Sequence, residues 1–191
     1  MNEIQELIYQ QKLYSVISNY SLKDVCKSLS FSEAMHLVEH LFYDDIRDDE
    51  KQKYALRLAF EIRDHFKEDW DRDWKNEVFL GVLCEMLCLY NERYLCFKRA
   101  YDKLENPPAE LLLRLSGCNS TPDNPPITDE ESEFYLKKAM EKRITFEAAF
   151  KMKILCLRKG DKSQAEHWDQ QSKKLKEVKV FSDQLIPDVL K

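Results

Sequence analysis

Only three glycines, Gly81, Gly117 and Gly160, occur in 191 residues, against about 13 at an average usage of about 7%. Glycine supplies the left-handed backbone that hairpin turns, barrel corners and phosphate-cradling loops require. A chain this poor in it has little material for β architecture or nucleotide-binding loops. Helices are therefore favoured before any periodicity is read.

The periodicity points the same way. Leu56, Ala59, Phe60 and Ile62, and again Phe79, Leu83, Leu87 and Tyr90, recur at helical spacing, while strict alternation over the length of a strand is hard to find. The pattern predicts helices near residues 2–18, 22–29, 31–46, 49–67, 74–90, 92–104, 108–116, 129–142, 145–158 and 161–176. It predicts an all-α fold of stacked antiparallel helical hairpins, as a solenoid or an irregular bundle, in a single domain spanning 1–191. Within it, 1–74 reads as acidic hairpins, 75–176 as repeat-like hairpins and 177–191 as a tail.

Charged residues make up 34% of the chain and hydrophobic residues 43%, enough apolar content to rule out a disordered chain of low hydrophobicity. The opening "MNEIQELIYQQKLY" has no basic segment ahead of an apolar core, and no apolar run approaches the roughly 20 residues needed to cross a bilayer. A soluble, cytoplasmic protein with no membrane contact is expected. The six cysteines (Cys26, Cys84, Cys88, Cys96, Cys118, Cys156) sit mostly among Leu, Val and Phe, as reduced thiols packed in helical cores do. Cys84 and Cys88 are one helical turn apart on an apolar face, so core packing is favoured over metal ligation.

Two stretches interrupt the helices. In "SGCNSTPDNPPITDEE" the prolines and Gly117 forbid regular structure over about 117–128, and Thr128 with Glu131 forms a capping box that restarts a helix. In "ENPPAE", Pro107 and Pro108 stop one helix and open the next.

Three segments align around a small residue: "YLCFKRAYDKL" (94–104), "EFYLKKAMEKR" (133–143) and "EHWDQQSKKLK" (166–176) superpose Ala100, Ala139 and Ser172. The offset between the last two is 33 residues, and that between the first two is 39, the proline-rich loop absorbing the excess. With the Gly160–Asp161 turn, Ala165 and Trp168, residues 75–176 resemble the tetratricopeptide repeat, whose paired antiparallel helices meet through small residues at a spacing near 34. The turn positions of the two earlier units are Cys88 and Ile127 instead of glycine. The resemblance implies hairpins that stack into an extended recognition surface.

The segment "AMHLVEHLFY" resembles the inverted zinc peptidase motif, in which His36 and His40 would be ligands and Glu39 the base. At 100° per residue, however, Ala34, Leu37, Val38, Leu41 and Phe42 share one stripe, and His36, Glu39 and His40 lie on the other side. No third ligand is identifiable, and no nucleophile elbow, phosphate loop or dinucleotide fingerprint occurs. The residues thus favour a solvated helix face, a non-enzymatic protein, and neither metal nor cofactor.

Charge is unevenly distributed. Residues 1–136 hold 16 Lys or Arg and 27 Asp or Glu, a balance of −11, whereas residues 137–179 hold 13 and 6, a balance of +7. Much of the acidity lies in two stretches that carry Asp44, Asp45, Asp48, Asp49, Asp69, Asp71 and Asp73, interleaved with Tyr43, Trp70 and Trp74. Carboxylates beside large aromatic rings suit contact with a basic protein, since rings supply buried area and carboxylates steer the encounter. Helix N-termini, which also attract acids, are the competing explanation.

A pI near 5.5 and the absence of a base-reading module argue against nucleic acid. The expected partner is another protein of basic character. Two kinds of small bacterial protein fit: an immunity protein that caps a basic, possibly nuclease, toxin domain, and a tetratricopeptide chaperone of type III secretion. A zinc hydrolase built on residues 36–40 is the enzymatic alternative.

Overall fold

A computed structural model describes residues 2–43, 48–121, 124–175 and 185–191. Its helices are α1 (Glu3–Tyr9), α2 (Leu13–Asn19), α3 (Leu22–Ser28), α4 (Phe31–Tyr43), α5 (Asp49–His65), α6 (Lys67–Arg72), α7 (Lys75–Met86), α8 (Tyr90–Asp102), α9 (Ala109–Ser116), α10 (Asp129–Lys142), α11 (Phe146–Arg158) and α12 (Lys162–Lys174). Short 3-10 turns follow at Gly117–Asn119 and Asp188–Leu190. The described residues contain no β-strand, and the fold is all-α.

The chain divides into two compact units. The first comprises Met1–Leu87 together with Ile186–Lys191, and the second comprises Cys88–Leu185. The partition falls at 87/88, and the last residues return to the first unit.

In the first unit α4 packs along α5, which also carries α3 and α7. The sequence stripe is the buried one: Ala34, Leu37, Val38, Leu41 and Phe42 are all inaccessible, as is Met35. Ser30 and Glu33 close a capping box ahead of α4, with Glu33 N–H donating to Ser30 Oγ (3.3 Å) and Ser30 N–H to Glu33 Oε2 (2.7 Å). Helix α7 is buried on all sides from Asn76 to Cys84, as its lack of any polar stripe over Val78–Cys84 requires.

The boundaries differ from expectation in three places, each with a local cause. The predicted helix 2–18 is two helices, because Gln11 adopts a left-handed φ of 56°. Buried Ile4 and Leu13 are nine residues apart, about half a revolution out of phase on one helix, and only a break turns both inward. The stretch after 67 forms α6, separated from α5 by the non-helical Phe66. The predicted helix 74–90 stops at Met86 because Cys88 has φ 58°. Cys88 is consequently exposed, and not the core residue its spacing suggests.

In the second unit consecutive helices run antiparallel. Ser132 Oγ at the start of α10 donates to Ser116 O at the end of α9 (2.7 Å), while Lys142 at the far end of α10 bonds Asn106 just before α9. Arg158 and Lys159 at the end of α11 meet Asp129 (3.3 Å) and Glu133 (2.5 Å) in the first turns of α10. Anionic N-termini thereby lie beside cationic C-termini, as helix dipoles favour. Lys153 reaches Asp169 across the α11–α12 pair (2.6 Å).

The three aligned small residues, Ala100, Ala139 and Ser172, are all buried, in α8, α10 and α12 respectively. Small side chains there let helices approach closely. The capping box of Thr128 and Glu131 is formed, and Gly160 takes φ 77° with Asp161 capping α12. An added Cβ at Gly160 meets no heavy atom within 4 Å, so its backbone angle, and not crowding, demands glycine.

Candidate protein-binding surface

The acidic residues of the first unit are largely occupied in building it. Asp48 caps α5, accepting from Lys51 N–H (3.1 Å). It also pairs with Lys51 Nζ (3.6 Å) and accepts from the Tyr14 hydroxyl. The Tyr14 hydrogen bond, followed by that from Lys51, holds the Asp48 carboxyl below the ordinary aspartate range. Asp49 is strongly exposed and stands 3.8 Å from Lys53. Asp69 pairs with Arg72 one turn on (2.7 Å), and Asp71 is exposed.

Asp73 is committed twice. Its Oδ1 accepts from Lys75 N–H (3.0 Å) at the start of α7, and its Oδ2 accepts from Asp188 N–H (2.9 Å). Asp44 and Asp45 lie outside the described residues. The helix-terminus explanation therefore accounts for Asp48 and Asp73 directly.

Of the three aromatic candidates, Trp70 is a correction. It is 1% exposed, its Nε1 donates to buried Glu77 (3.1 Å), and its carbonyl accepts from buried Asn76 (3.0 Å). Alternating with acids in sequence, it looks like a surface ring, but on the single-turn helix α6 it points into the core. Trp74 is half-buried. Tyr43 is exposed, its ring edge-on to Phe42 at 5.3 Å.

Two exposed rings were not anticipated from sequence. Tyr9 is 81% exposed and Tyr14 50%. Tyr9 lies about 140° around α1 from buried Ile4, and Tyr14 lies on the side of α2 away from buried Leu13 and Val16. Tyr14, His40, Lys12 and Lys51 line an open pocket of about 200 Å³ that Gln11 also borders. Tyr43 stands one turn beyond His40 on α4, and Tyr9 two residues before Gln11. Lys51 lies over the Tyr14 ring at 5.1 Å.

His36 and His40 are exposed, on the face opposite the buried stripe. His36 Nδ1 lies 3.6 Å from Glu39 Oε2. Among the described residues no three His, Cys, Asp or Glu side chains converge as a metal cage, and none of the helices is long and apolar enough to cross a membrane.

In the second unit much of the positive charge is matched internally: Lys137 pairs with Glu133 (2.7 Å), Lys151 with Glu147 (2.7 Å) and Lys173 with Asp169 (2.6 Å). What this unit does present is apolar. Leu95, Phe134, Ile144, Phe150 and Leu157 are each about half exposed. Leu95 and Phe134 occupy equivalent positions in the aligned segments, on α8 and α10. Tyr101, Tyr135 and Phe134 form an edge-to-face run with centroids 5.6 and 5.5 Å apart, and Lys138 lies 4.6 Å above Phe134.

Fold and surface together define an all-α protein of antiparallel helical hairpins that exposes large aromatic rings on an acidic first unit. No family model, curated protein or solved structure matches the chain.

Proposed function

We propose that this is a non-enzymatic protein-binding protein, and that its first unit holds a basic partner domain in the manner of a bacterial immunity protein neutralising a toxin. The observation that carries the reading is the outward placement of Tyr9, Tyr14 and Tyr43 on a unit rich in aspartate. Tyrosine gives large contact area at low entropic cost and is enriched in interface hot spots, and net negative charge raises the encounter rate with a cation. The buried Trp70 drops out of the contact set, and Asp48 and Asp73 serve the fold first.

The test is affinity capture from the native host, followed by titration of the captured domain against variants. Tyr9→Ala with Tyr14→Ala is expected to weaken binding at least tenfold through dissociation. Charge reversal at Asp49 and Asp71, neither of which caps a helix, is expected to slow association and flatten its salt dependence. An acidic partner, or affinity unchanged in both variants, overturns the proposal. Stoichiometric zinc in the purified protein, lost in His36→Ala, would favour the hydrolase alternative instead.

A second reading, a tetratricopeptide-type chaperone that cradles an extended segment, draws on the half-exposed Leu95, Phe134 and Phe150 of the second unit. It expects an unfolded peptide as ligand and loss of affinity on Phe134→Ala or Phe150→Ala, with the tyrosine variants unaffected.

A further inference from the structure

Residues Ile186–Lys191 pack as part of the first unit, although they follow the second in sequence. Pro187 is buried with an extended backbone (φ −50°, ψ 140°). Proline has no N–H, so the first backbone donor after it is that of Asp188, which meets Asp73 Oδ2 at 2.9 Å. The Asp188 carboxylate in turn accepts from Lys75 Nζ at 2.5 Å.

The two receiving residues also bond each other. Asp73 is fixed by its bond to the Lys75 backbone, and the Lys75 side chain, only 14% exposed, also lies 3.9 Å from Asp73. The turn at Asp188–Leu190 rests against α4, and Val189 and Leu190 are half-buried. The seat thus reads four things: an extended proline, the N–H that follows it, a carboxylate on that same residue, and two apolar side chains beyond. Each is a property of a short peptide, and none requires covalent continuity with the rest of the chain. The Asp188 side chain remains 68% exposed, so the segment can be displaced from its edge.

We propose that the Asp73–Lys75 clamp and the adjoining face of α4 are a peptide-docking site, filled in cis by residues 186–191 and open to a partner segment of the form apolar–Pro–Asp–apolar–apolar. Charge-assisted bonds of this reciprocal kind give both strength and register. The tethered tail competes at an effective concentration of order mM, so partner binding to the resting protein is weakened roughly tenfold for a peptide of about 100 µM intrinsic Kd. The proposal stands on Asp73, Lys75 and Asp188 and does not rest on the tyrosines.

The test uses a fluorescein-labelled peptide of sequence Leu-Ile-Pro-Asp-Val-Leu-Lys and anisotropy on the full chain. Asp188→Ala releases the native tail and is expected to bind the probe about tenfold tighter than wild type. Adding Lys75→Met to that variant is expected to abolish binding, as is replacing the aspartate of the probe by alanine, a control that leaves the protein untouched. Tyr9→Ala and Tyr14→Ala are expected to bind the probe as wild type does. No saturable binding to Asp188→Ala up to about 1 mM, or binding that survives loss of the probe's carboxylate, overturns the proposal. So does concentration-dependent dimerisation of Asp188→Ala with no probe uptake.

Discussion

Cys88 holds a left-handed backbone angle, as Gly160 does, and replacing it tests how its turn is made. Its φ of 58° lies in the left-handed region, where a residue bearing a Cβ is strained by about 1–2 kcal/mol. The side chain is exposed, so its loss removes little buried area. Glycine relieves the strain but gives the unfolded chain extra freedom costing about 0.5–1 kcal/mol. The balance for Cys88→Gly is a gain of about 0.5–1 kcal/mol, or about 1–4 °C in Tm for a chain of this size. Gly160→Ala is the mirror experiment: φ is 77° with open space around the position, so the same terms predict a loss of about 0.5–1 kcal/mol. Urea unfolding followed by far-UV circular dichroism measures both. Loss of stability in Cys88→Gly, with Gly160→Ala neutral, would show that neither turn is governed by left-handed strain.

Three further expectations concern the core, the thiols and the tail. Trp70→Ala removes a fully buried ring and its bond to Glu77 and should cost about 3–5 kcal/mol, whereas Tyr9→Ala should change stability by less than about 0.5 kcal/mol; a near-neutral Trp70→Ala in urea titration would contradict the burial. Native-state alkylation should modify Cys88 first and Cys156 more slowly, while Cys26, buried and with its thiol pushed up to about 12 by desolvation and the charge of Glu61, stays unreactive; Cys88→Ser should remove the fast phase seen by mass spectrometry. Hydrogen bonds from Lys191 and then Lys75 hold Asp188 at about 2, below its ordinary 3.8. Because the docked value is the lower one, the contribution of this group to docking is complete above about pH 4 and is lost as pH falls toward about 2, so the Val189 methyl resonances should shift across that window in a wild-type acid titration and stay flat in Asp188→Ala.

The features legible in the sequence were those written within a few residues. The α4 stripe, the capping boxes at Ser30–Glu33 and Thr128–Glu131, and the Gly160–Asp161 turn each depend on neighbours three to five positions away, where spacing and side-chain chemistry decide the outcome. The features missed depend on backbone angle or on remote partners. Gln11 and Cys88 carry no chemical mark of a left-handed φ, so periodicity alone runs two helices past their true ends. Trp70 looks exposed because its neighbours are acidic; its partners, Glu77 and Asn76, lie beyond the next helix start. The clasp between Lys75 and Asp188 spans 113 positions, a separation over which no local pattern speaks. Of the candidate contact residues, Asp49, Asp71 and Tyr43 are exposed, and so are Tyr9 and Tyr14.

The return of Ile186–Lys191 to the first unit gives synthesis of this chain an unusual order of completion. Residues 1–87 are synthesised before residues 88–185, yet they lack a piece of their own packing until the latter have also been made. At about 5–20 residues per second the wait is about 5–20 s, during which Asp73 and Lys75 lack their partner Asp188.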